Sequence, residues 1–162
     1  MMGKMSPTDQ IPPFEQFYVA HRDEVLAYLR RLLGGRAEDA WQETFLRALR
    51  AYDRLEHGQH LRAWVFRIAT NVAMDELRAS DKVLLAEDVD GGPVEAGRPV
   101  YAELEHLTGE LPPKELAAVV LRYGYDLPYD QIGAALGSSE EAARAAASSG
   151  VRRLRRSLDA HA

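Results

Sequence analysis

Apolar residues recur at intervals of three and four along almost the whole chain, and this spacing limits the fold more than any other feature of the sequence. Side chains spaced in this way share one face of an α-helix, whereas a strand needs alternation at every second residue. No segment of the sequence keeps such an alternation. The predicted helices are Phe14–Leu33, about Ala37–Arg54, Leu61 to about Arg78, Tyr101–Thr108, about Pro113–Tyr123, Tyr129–Leu136 and a last helix to about Leu158. The sequence therefore predicts an all-α protein.

A change of composition divides the chain into two parts. Residues 81–100 are rich in glycine, proline and acidic side chains, which is typical of a flexible linker. We therefore expect two small helical domains, at residues 14–80 and 101–158, with a frayed arm at residues 1–13. Domains of this size bury only about 60% of their unfolded surface, so each is expected to be marginal alone and to lean on a partner.

The net negative charge of the chain is concentrated in and just after the predicted linker. The whole sequence has 20 Lys and Arg against 25 Asp and Glu, a net charge of −5. Residues 81–110 hold 2 of the basic and 8 of the acidic residues, so the rest of the chain is close to neutral. Nucleic-acid-binding domains are often basic, and near-neutral domains are therefore expected to bind DNA poorly on their own.

Several functional classes find no support in the sequence. The absence of cysteine excludes disulfides, thiolate zinc sites, iron–sulfur clusters and a cysteine nucleophile. No glycine-rich phosphate loop, nucleophile elbow or zinc-protease motif occurs, so we expect neither an enzyme nor a cofactor, metal ion or small-molecule substrate. No apolar run approaches the length of about 20 residues that crosses a bilayer, and a cytoplasmic protein without membrane insertion is expected.

The second predicted helix carries a polar face opposite its apolar stripe. By their spacing, Asp39, Gln42 and Glu43 lie on one side of this helix. A patch of two carboxylates and an amide suits a partner surface that presents arginine. The alternative is a solvated helix face on which Glu43 pairs with Arg47. The apolar stripe is predicted to consist of Trp41, Phe45, Ala48, Leu49 and Tyr52.

The third predicted helix carries a strip of aromatic, cationic, amide and acidic side chains beside its core stripe. The strip consists of Trp64, Arg67, Asn71, Asp75 and Arg78. Stacking, amide hydrogen bonding and phosphate contact are interactions that bind single-stranded DNA, and the preceding loop, residues 56–60, would receive an extruded base. The alternative places Trp64 in the core and leaves the other residues as an ion-paired surface.

The segment from Tyr129 to Gly137, followed by a further helix, has the pattern of a helix-turn-helix. The first helix is amphipathic and ends at a glycine, and Ser139 is placed to cap the next helix. The strongest basic cluster of the chain, residues 152–156, follows in that helix. This cluster suits a phosphate, or else the negative end of its own helix dipole.

Three blocks of sequence, in this order, closely resemble bacterial sigma factors of the extracytoplasmic-function (ECF) group of the sigma-70 family. The blocks are AEDAWQETFLRALRAYDRLE, LRAWVFRIATNVAMDELR and LPPKELAAVVLRYGYDLPYDQIGAALGSS, with the acidic linker between the second and the third. The resemblance implies a transcription initiation factor that binds core RNA polymerase and directs it to promoter DNA. It also implies a region 2 domain at residues 14–80 and a region 4 helix-turn-helix domain at residues 101–158.

The resemblance implies roles for individual residues as well. Those implied to dock on the β′ coiled coil of the polymerase are Asp39, Gln42, Glu43 and Phe45. Those implied to recognise and melt the −10 promoter element are His57, His60, Arg62, Trp64, Arg67, Asn71, Asp75 and Arg78. Those implied to contact the −35 element, in a module that also touches the polymerase β flap, are Ser139, Arg144, Arg152, Arg153, Arg155 and Arg156. An anti-sigma factor is a further partner that the resemblance suggests.

The last helix departs from the family pattern. Its sequence is SEEAARAAASSGVRRLRR, where the family has a helix rich in arginine and lysine. Ala142 replaces a usual threonine, Ala146 and Ser149 replace expected arginines, and Gly150 costs roughly 1 kcal/mol relative to alanine within a helix. Reading of the −35 element is therefore expected to be weak, relaxed or absent. Two alternatives follow: a sigma-like decoy that binds a regulator or the polymerase without reading DNA, and a stand-alone DNA-binding repressor.

Overall fold

The structure, a computed structural model, describes residues 10–86 and 111–160, with side chains from Gln10 to Ala79 and from Leu111 to Ala160. We call residues 10–86 the first lobe and residues 111–160 the second lobe. The helices of the first lobe are α1 (Phe14–Leu33), α2 (Ala37–Tyr52) and α3 (Leu61–Ala86), with a 3-10 turn at Gly34–Arg36. Those of the second lobe are α4 (Pro113–Val119), a π-helical turn (Val120–Gly124), α5 (Tyr129–Leu136) and α6 (Glu140–Ala160).

The predicted helices correspond closely to the observed ones. No strand occurs in the two described ranges, and the prediction of an all-α fold with two helical domains is confirmed. α2 ends at Tyr52, two residues before the predicted end at Arg54. α3 continues to Ala86, so the prediction that residues 81–86 belong to the linker is wrong, while the rest of the linker and the helix predicted at residues 101–108 lie outside the described residues. In the described part of the chain, no helix has the length and apolar character needed to span a membrane.

The end of the predicted N-terminal arm is packed against the first lobe. Ile11 contacts the core, and the carbonyl of Pro12 accepts a hydrogen bond from the hydroxyl of Tyr52. The backbone of Gln10 lies against Gly58, where a Cβ atom would come within 2.1 Å of the Gln10 carbonyl oxygen. Residues 10–13 are therefore part of the fold, contrary to the prediction of a frayed arm.

Aromatic side chains fill the core of the first lobe. Phe17 of α1 lies among them, with its ring centroid 6.2 Å from that of Phe45, 5.3 Å from that of Tyr52 and 5.7 Å from that of Trp64. Tilted and edge-on pairs at such distances each contribute about 0.5–1.5 kcal/mol beyond the area that they bury. The cluster holds α2 and α3 against α1, and it thereby determines which sides of those two helices remain in solvent.

The second lobe has the helix-turn-helix that the sequence predicts. Gly137 ends α5 in the left-handed region at a φ of 67°, which glycine adopts without steric cost. The predicted cap of α6 is confirmed, because the hydroxyl oxygen of Ser139 accepts a hydrogen bond of 3.0 Å from the amide of Ala142. Gly150 brings α6 close to α4, since a Cβ atom there would lie 2.5 Å from Cγ2 of Val119.

The two lobes share one core. α5 packs against α3, and buried apolar residues of both lobes belong to a single cluster. Tyr125, in the loop before α5, reaches into the first lobe, with its ring centroid 4.9 Å from that of Phe66 and 5.9 Å from that of Tyr28. The guanidinium carbons of Arg31 and Arg62 lie 5.7 and 5.9 Å from the Tyr125 centroid, and burial raises the pKa of this tyrosine. Each small lobe was expected to need a partner to bury its apolar surface, and here the two lobes bury part of that surface against each other.

Candidate functional site

The exposed side of α2 has carboxylates toward its N-terminal end and leucines beyond them. Asp39 and Gln42 are exposed and Glu43 is half-buried, as expected for residues on one polar side. Leu46 and Leu49 lie beside them with 47% and 51% of their surfaces exposed. We call these five residues the α2 face. An exposed pair of leucines next to carboxylates can contact a partner through both apolar surface and charge.

One prediction about the apolar stripe of α2 is wrong. Leu49 was assigned to the buried stripe, but half of its surface is exposed, because the aromatic core covers Phe45 and Tyr52 and leaves Leu49 at its edge. Phe45 is buried, so it supports the α2 face from behind and is not itself part of it. Leu46 was not among the predicted residues, although it follows Gln42 by four positions and helical spacing therefore places it on the same face.

Ion pairs connect α2 with α3. Nε of Arg47 donates to the carboxylate of Glu43 at 3.1 Å, which confirms the pair that the sequence suggested. Nη1 of the same arginine lies 3.7 Å from the carboxylate of Asp75, which in turn accepts a hydrogen bond from Arg78. These groups are all partly exposed, so their contribution to stability is small. They connect the exposed sides of the two helices, which the aromatic core holds together.

The exposed side of α3 is the strip that the sequence predicts, and we call it the α3 face: Trp64, Arg67, Asn71, Asp75 and Arg78. Arg67 and Asn71 are exposed, and with the other described residues they make no ion pair or side-chain hydrogen bond. Val65 and Phe66, on the other side of the helix, are fully buried. Apart from Trp64, the α3 face therefore points away from the shared core and is accessible while the two lobes are packed together.

Trp64 lies between the core and the solvent. Its ring centroid is 5.7 Å from that of Phe17 and 6.2 Å from that of Tyr52, and the side chain is half-buried. The alternative interpretation, in which Trp64 is a core residue, is thus partly supported. Part of the indole remains accessible, and a base would stack on that part, with Arg67 three residues further along the same side of α3.

The loop between α2 and α3 lies at the N-terminal end of the α3 face. His57 and His60 are both exposed in it. His60 has a φ of 60°, and its carbonyl accepts the amide proton of Trp64 at 2.9 Å, which starts α3. Nδ1 of His57 accepts a hydrogen bond of 3.3 Å from the amide of Gln59. Both histidines are thus next to the α3 face, as the predicted grouping requires.

Arg62 lies on a different side of α3 from the rest of the predicted −10 residues. Its Nε donates to both carboxylate oxygens of Glu24 on α1, at 3.2 and 3.3 Å. Its guanidinium carbon is 5.6 Å from the ring centroid of Phe66 and 5.9 Å from that of Tyr125. In this arrangement Arg62 belongs to the contact between the lobes and not to the α3 face.

The basic residues of α6 are divided between two sides of the helix. Arg153 is turned toward α4, where Glu115 accepts hydrogen bonds from its Nε at 3.1 and 3.2 Å. Arg152 is exposed and lies 3.2 Å from the hydroxyl of Ser149. Residues 155 and 156 are exposed arginines with no ion pair to any described residue. Three arginines near the end of α6 are thus available to an anion, while the fourth is held within the lobe.

Two family models match this chain, and their limits coincide with the two lobes. The model of Sigma-70 region 2 matches residues 17–83, and the model of Sigma-70, region 4 matches residues 109–156. The first match runs from the first turn of α1 to the last turns of α3. The second covers α4, α5 and most of α6.

Relatives align along nearly the whole chain. It is 34% identical over 164 residues to the ECF RNA polymerase sigma factor SigE of Mycolicibacterium smegmatis, covering 93% of this chain and 63% of SigE. It is 32% identical over 154 residues to the RNA polymerase sigma factor CarQ of Myxococcus xanthus, covering 90% of this chain and 88% of CarQ. The chain therefore spans most of the length of CarQ and less than two thirds of that of SigE.

A solved structure has the same arrangement of helices. The sigma factor RpoE, in its complex with the anti-sigma factor NepR from Bartonella quintana, superposes with a TM-score of 0.76 at 22% identity, covering 90% of this chain and 96% of the matched chain. At this identity the likeness concerns the fold alone. The two family models and the identity to CarQ over most of its length go further, and they show that this chain belongs to the ECF sigma factors of the sigma-70 family.

Proposed function

We propose that this protein binds core RNA polymerase through the α2 face and opens promoter DNA at the −10 element with the α3 face. The observation that carries the proposal is the exposed strip on α3, where Arg67 and Asn71 project away from the shared core and helical spacing places them on the same side as the half-buried Trp64. The α2 face lies next to this strip and is connected to it through Arg47. A polymerase bound to α2 would therefore hold its DNA beside α3.

The composition of the α2 face fits a basic, partly apolar helical surface such as the β′ coiled coil. Its carboxylates, Asp39 and Glu43, suit arginine on the partner, and its exposed leucines supply apolar area at the centre of the contact. A buried apolar centre with a charged rim is the usual composition of a specific interface.

Opening of a short bubble needs no chemical step. Each base-pair step costs about 1–2 kcal/mol to unstack, and each base that stacks on an aromatic side chain returns about 1–3 kcal/mol. The accessible side of Trp64, with the exposed loop that holds His57 and His60, offers places for extruded bases, while Arg67 would neutralise phosphate. Binding energy alone is therefore enough for a bubble of a few base pairs.

The second lobe would engage the −35 region and the β flap as a helix-turn-helix module. Ser139 and Arg144 lie at the start of its second helix, α6, and Arg152, Arg155 and Arg156 lie toward the end of that helix. We further propose an anti-sigma factor as a partner, on the ground that RpoE, of similar fold, was solved bound to one.

The first experiment measures binding to core polymerase. In a pull-down with purified core enzyme, the double variant Asp39→Arg/Glu43→Arg and the single variant Leu46→Glu should each lose at least 90% of the captured polymerase. The matched control is Glu15→Arg/Asp23→Arg, which makes the same charge change at two exposed carboxylates of α1 and should bind normally. Binding by all variants alike would show that the α2 face is not the docking surface.

The second experiment measures promoter opening. Core polymerase with this protein should give run-off transcripts, and thymines at the −10 element should become reactive to permanganate, which oxidises unpaired thymine. Capture of the polymerase without promoter protection or transcripts would instead favour a decoy. Duplex binding by the protein in the absence of polymerase would favour a stand-alone repressor.

A further inference from the structure

The exposed side of α6 is short of side chains that can reach DNA over its first three turns. Ala142, Ala145 and Ser148 are exposed there, and none of them extends beyond its own Cβ substituent. Glu140 and Glu141 are exposed at the N-terminal end, where like charge disfavours a close approach to phosphate. In a helix-turn-helix, this N-terminal half is the part that contacts base edges.

Arg144 has the length to reach a base, but the structure holds it within the second lobe. Its guanidinium carbon lies 4.9 Å from the ring centroid of Tyr129 at the start of α5, and its Nη2 donates to Glu140 at 3.2 Å. Arg122 lies 4.6 Å from the same ring and donates to the carbonyl of Leu127 at 3.2 Å. In this structure the guanidinium of Arg144, although exposed, is thus engaged by α5 and by its own helix.

The arginines of α6 that form no ion pair with any described residue lie at its other end. Arg152, Arg155 and Arg156 are exposed and line a shallow groove with Ser149 and Arg153. At 100° per residue, Arg152 and Arg155 lie on the same side of α6 as the exposed Ser148, one to two turns further along the helix. Arginines in such a place meet the sugar–phosphate backbone that borders a groove, and not the base edges within it.

We propose that α6 binds DNA through phosphates, by means of Arg152, Arg155 and Arg156, and does not discriminate between −35 sequences. This inference rests on the proposed function and specifies it: the choice of promoter then depends on the α3 face. A protein of this kind accepts many −35 sequences but still needs duplex DNA there.

The test is a selection of promoters by the assembled holoenzyme. A DNA library with randomised −35 and −10 segments is transcribed by core polymerase with this protein, and the templates that yield transcripts are sequenced. The expected result is strong enrichment at −10 and less than about threefold enrichment of any base at −35. Enrichment of tenfold or more at a −35 position would overturn this inference and leave the proposed function intact. An absence of transcripts would overturn both.

A second measurement tests the role assigned to the arginines. Arg155→Gln and Arg156→Gln should each weaken holoenzyme binding to duplexes with any −35 sequence by a similar factor, about three- to tenfold. Each should also lower the slope of log K against log salt by about 0.9, the value for one phosphate contact. Lys114→Gln, which removes one exposed positive charge from α4, should leave the slope unchanged.

Two outcomes of these measurements would contradict the assignment. One is an unchanged salt slope in both arginine variants, which would show that they touch no phosphate. The other is a loss of affinity confined to particular −35 sequences, because a phosphate contact weakens binding to all sequences alike.

Discussion

The exposed sides of α3 and α6 differ much more than the packing of the two helices does. Both helices pack against α5 and leave one side to solvent. The side of α3 presents arginine, asparagine and part of a tryptophan, whereas the first three turns of α6 present alanine, serine, glutamate and one arginine, Arg144, which is paired with Glu140. A helix-turn-helix can thus keep its packing, including its cap and its close contacts, when most exposed side chains in the first half of its second helix are too short to reach DNA.

The largest effect is expected from removing the reading groups of α3. In Arg67→Ala/Asn71→Ala, two exposed side chains without partners in the described structure are lost, so the fold should be unchanged. Each contact to a base or phosphate is worth about 1–3 kcal/mol, and the double variant should therefore reduce open complexes about 100-fold. Permanganate reactivity and run-off transcription both measure this loss.

The control for this double variant is Arg30→Ala, which removes an exposed arginine from α1. It should transcribe at the wild-type rate. If the double variant bound polymerase and opened promoters normally, Arg67 and Asn71 would not contact DNA. The exposed sides of α3 and α6 would then not differ in DNA binding.

The next effect concerns the contact that keeps both helices in one body. Tyr125→Ala removes a ring that packs on Phe66 and Tyr28 and lies beside two arginines. Since Tyr125 is only half-buried, we expect the docking of the lobes to weaken by about 2 kcal/mol, less than for a fully buried aromatic residue. Hydrogen exchange of the α5 amides should accelerate accordingly, because α5 loses part of its support on α3.

Promoter geometry gives the same variant a second expected outcome. The −10 and −35 elements are about 25 base pairs apart, which is about 85 Å of B-form DNA, whereas α3, with 26 residues, is about 39 Å long. With α3 and α6 both packed on α5, we expect the lobes to separate before they reach both elements, so weaker docking should leave promoter binding unchanged or stronger. The control is Tyr123→Ala, which removes an exposed tyrosine from the π-helical turn just before Tyr125. It should alter neither the hydrogen exchange of α5 nor promoter binding. Unchanged exchange in Tyr125→Ala would refute the role of this ring.

A smaller effect is expected at Gly150, where α6 packs so closely against α4 that only glycine fits. Helix propensity alone predicts that Gly150→Ala stabilises the protein by about 1 kcal/mol. The structure predicts the opposite, because the new Cβ would lie 2.5 Å from Cγ2 of Val119, a branched side chain with little freedom to move. We expect a net loss of about 1 kcal/mol in the free energy of unfolding, measured with urea.

The matched control is Gly35→Ala in the turn between α1 and α2. Nothing lies within 4 Å of a Cβ atom at that position, and its φ is not positive. The free energy of unfolding of the Gly35→Ala variant should remain the same or rise by a few tenths of a kcal/mol. A stabilised Gly150→Ala variant would mean that α4 and α6 can separate slightly, and that glycine is not needed for their contact.

Local patterns in the sequence predicted the helices because local interactions determine them. The apolar spacing of α1 gave its bounds, and the cap at Ser139 depends on residues only three apart. The composition of the α3 face was likewise apparent, since helical spacing places its residues on one side. The exposure of Leu49 could not be predicted in this way, because it depends on how far the aromatic core, which α1 and α3 help to form, extends along α2.

Contacts between distant segments were beyond such patterns. Tyr125 stands in a short loop, and nothing near it in the chain indicates that its ring lies against residues almost 60 and 100 positions earlier. The contact of Arg62 with Glu24 and that of Arg144 with Tyr129 are of the same distant kind. The pairing of Arg144 with Glu140, one helical turn away, is local. Sequence spacing places a residue on a face, but it does not show which faces meet.

The smallest effect expected is a gain, produced by making α6 more like α3. Ser148 is exposed on the side of α6 that carries Arg152 and Arg155, so Ser148→Arg places a free guanidinium over its bare third turn. One added phosphate contact should tighten holoenzyme binding about three- to fivefold and raise the salt slope by about 0.9. Ala20→Arg adds the same charge at an exposed position of α1 and separates this local contact from the effect of net charge. Because arginine can also bind guanine through two hydrogen bonds, the new side chain should introduce a preference at one −35 position that the wild-type protein lacks. A gain of affinity in both variants alike would assign the effect to net charge, and it would leave the first three turns of α6 outside the DNA contact altogether.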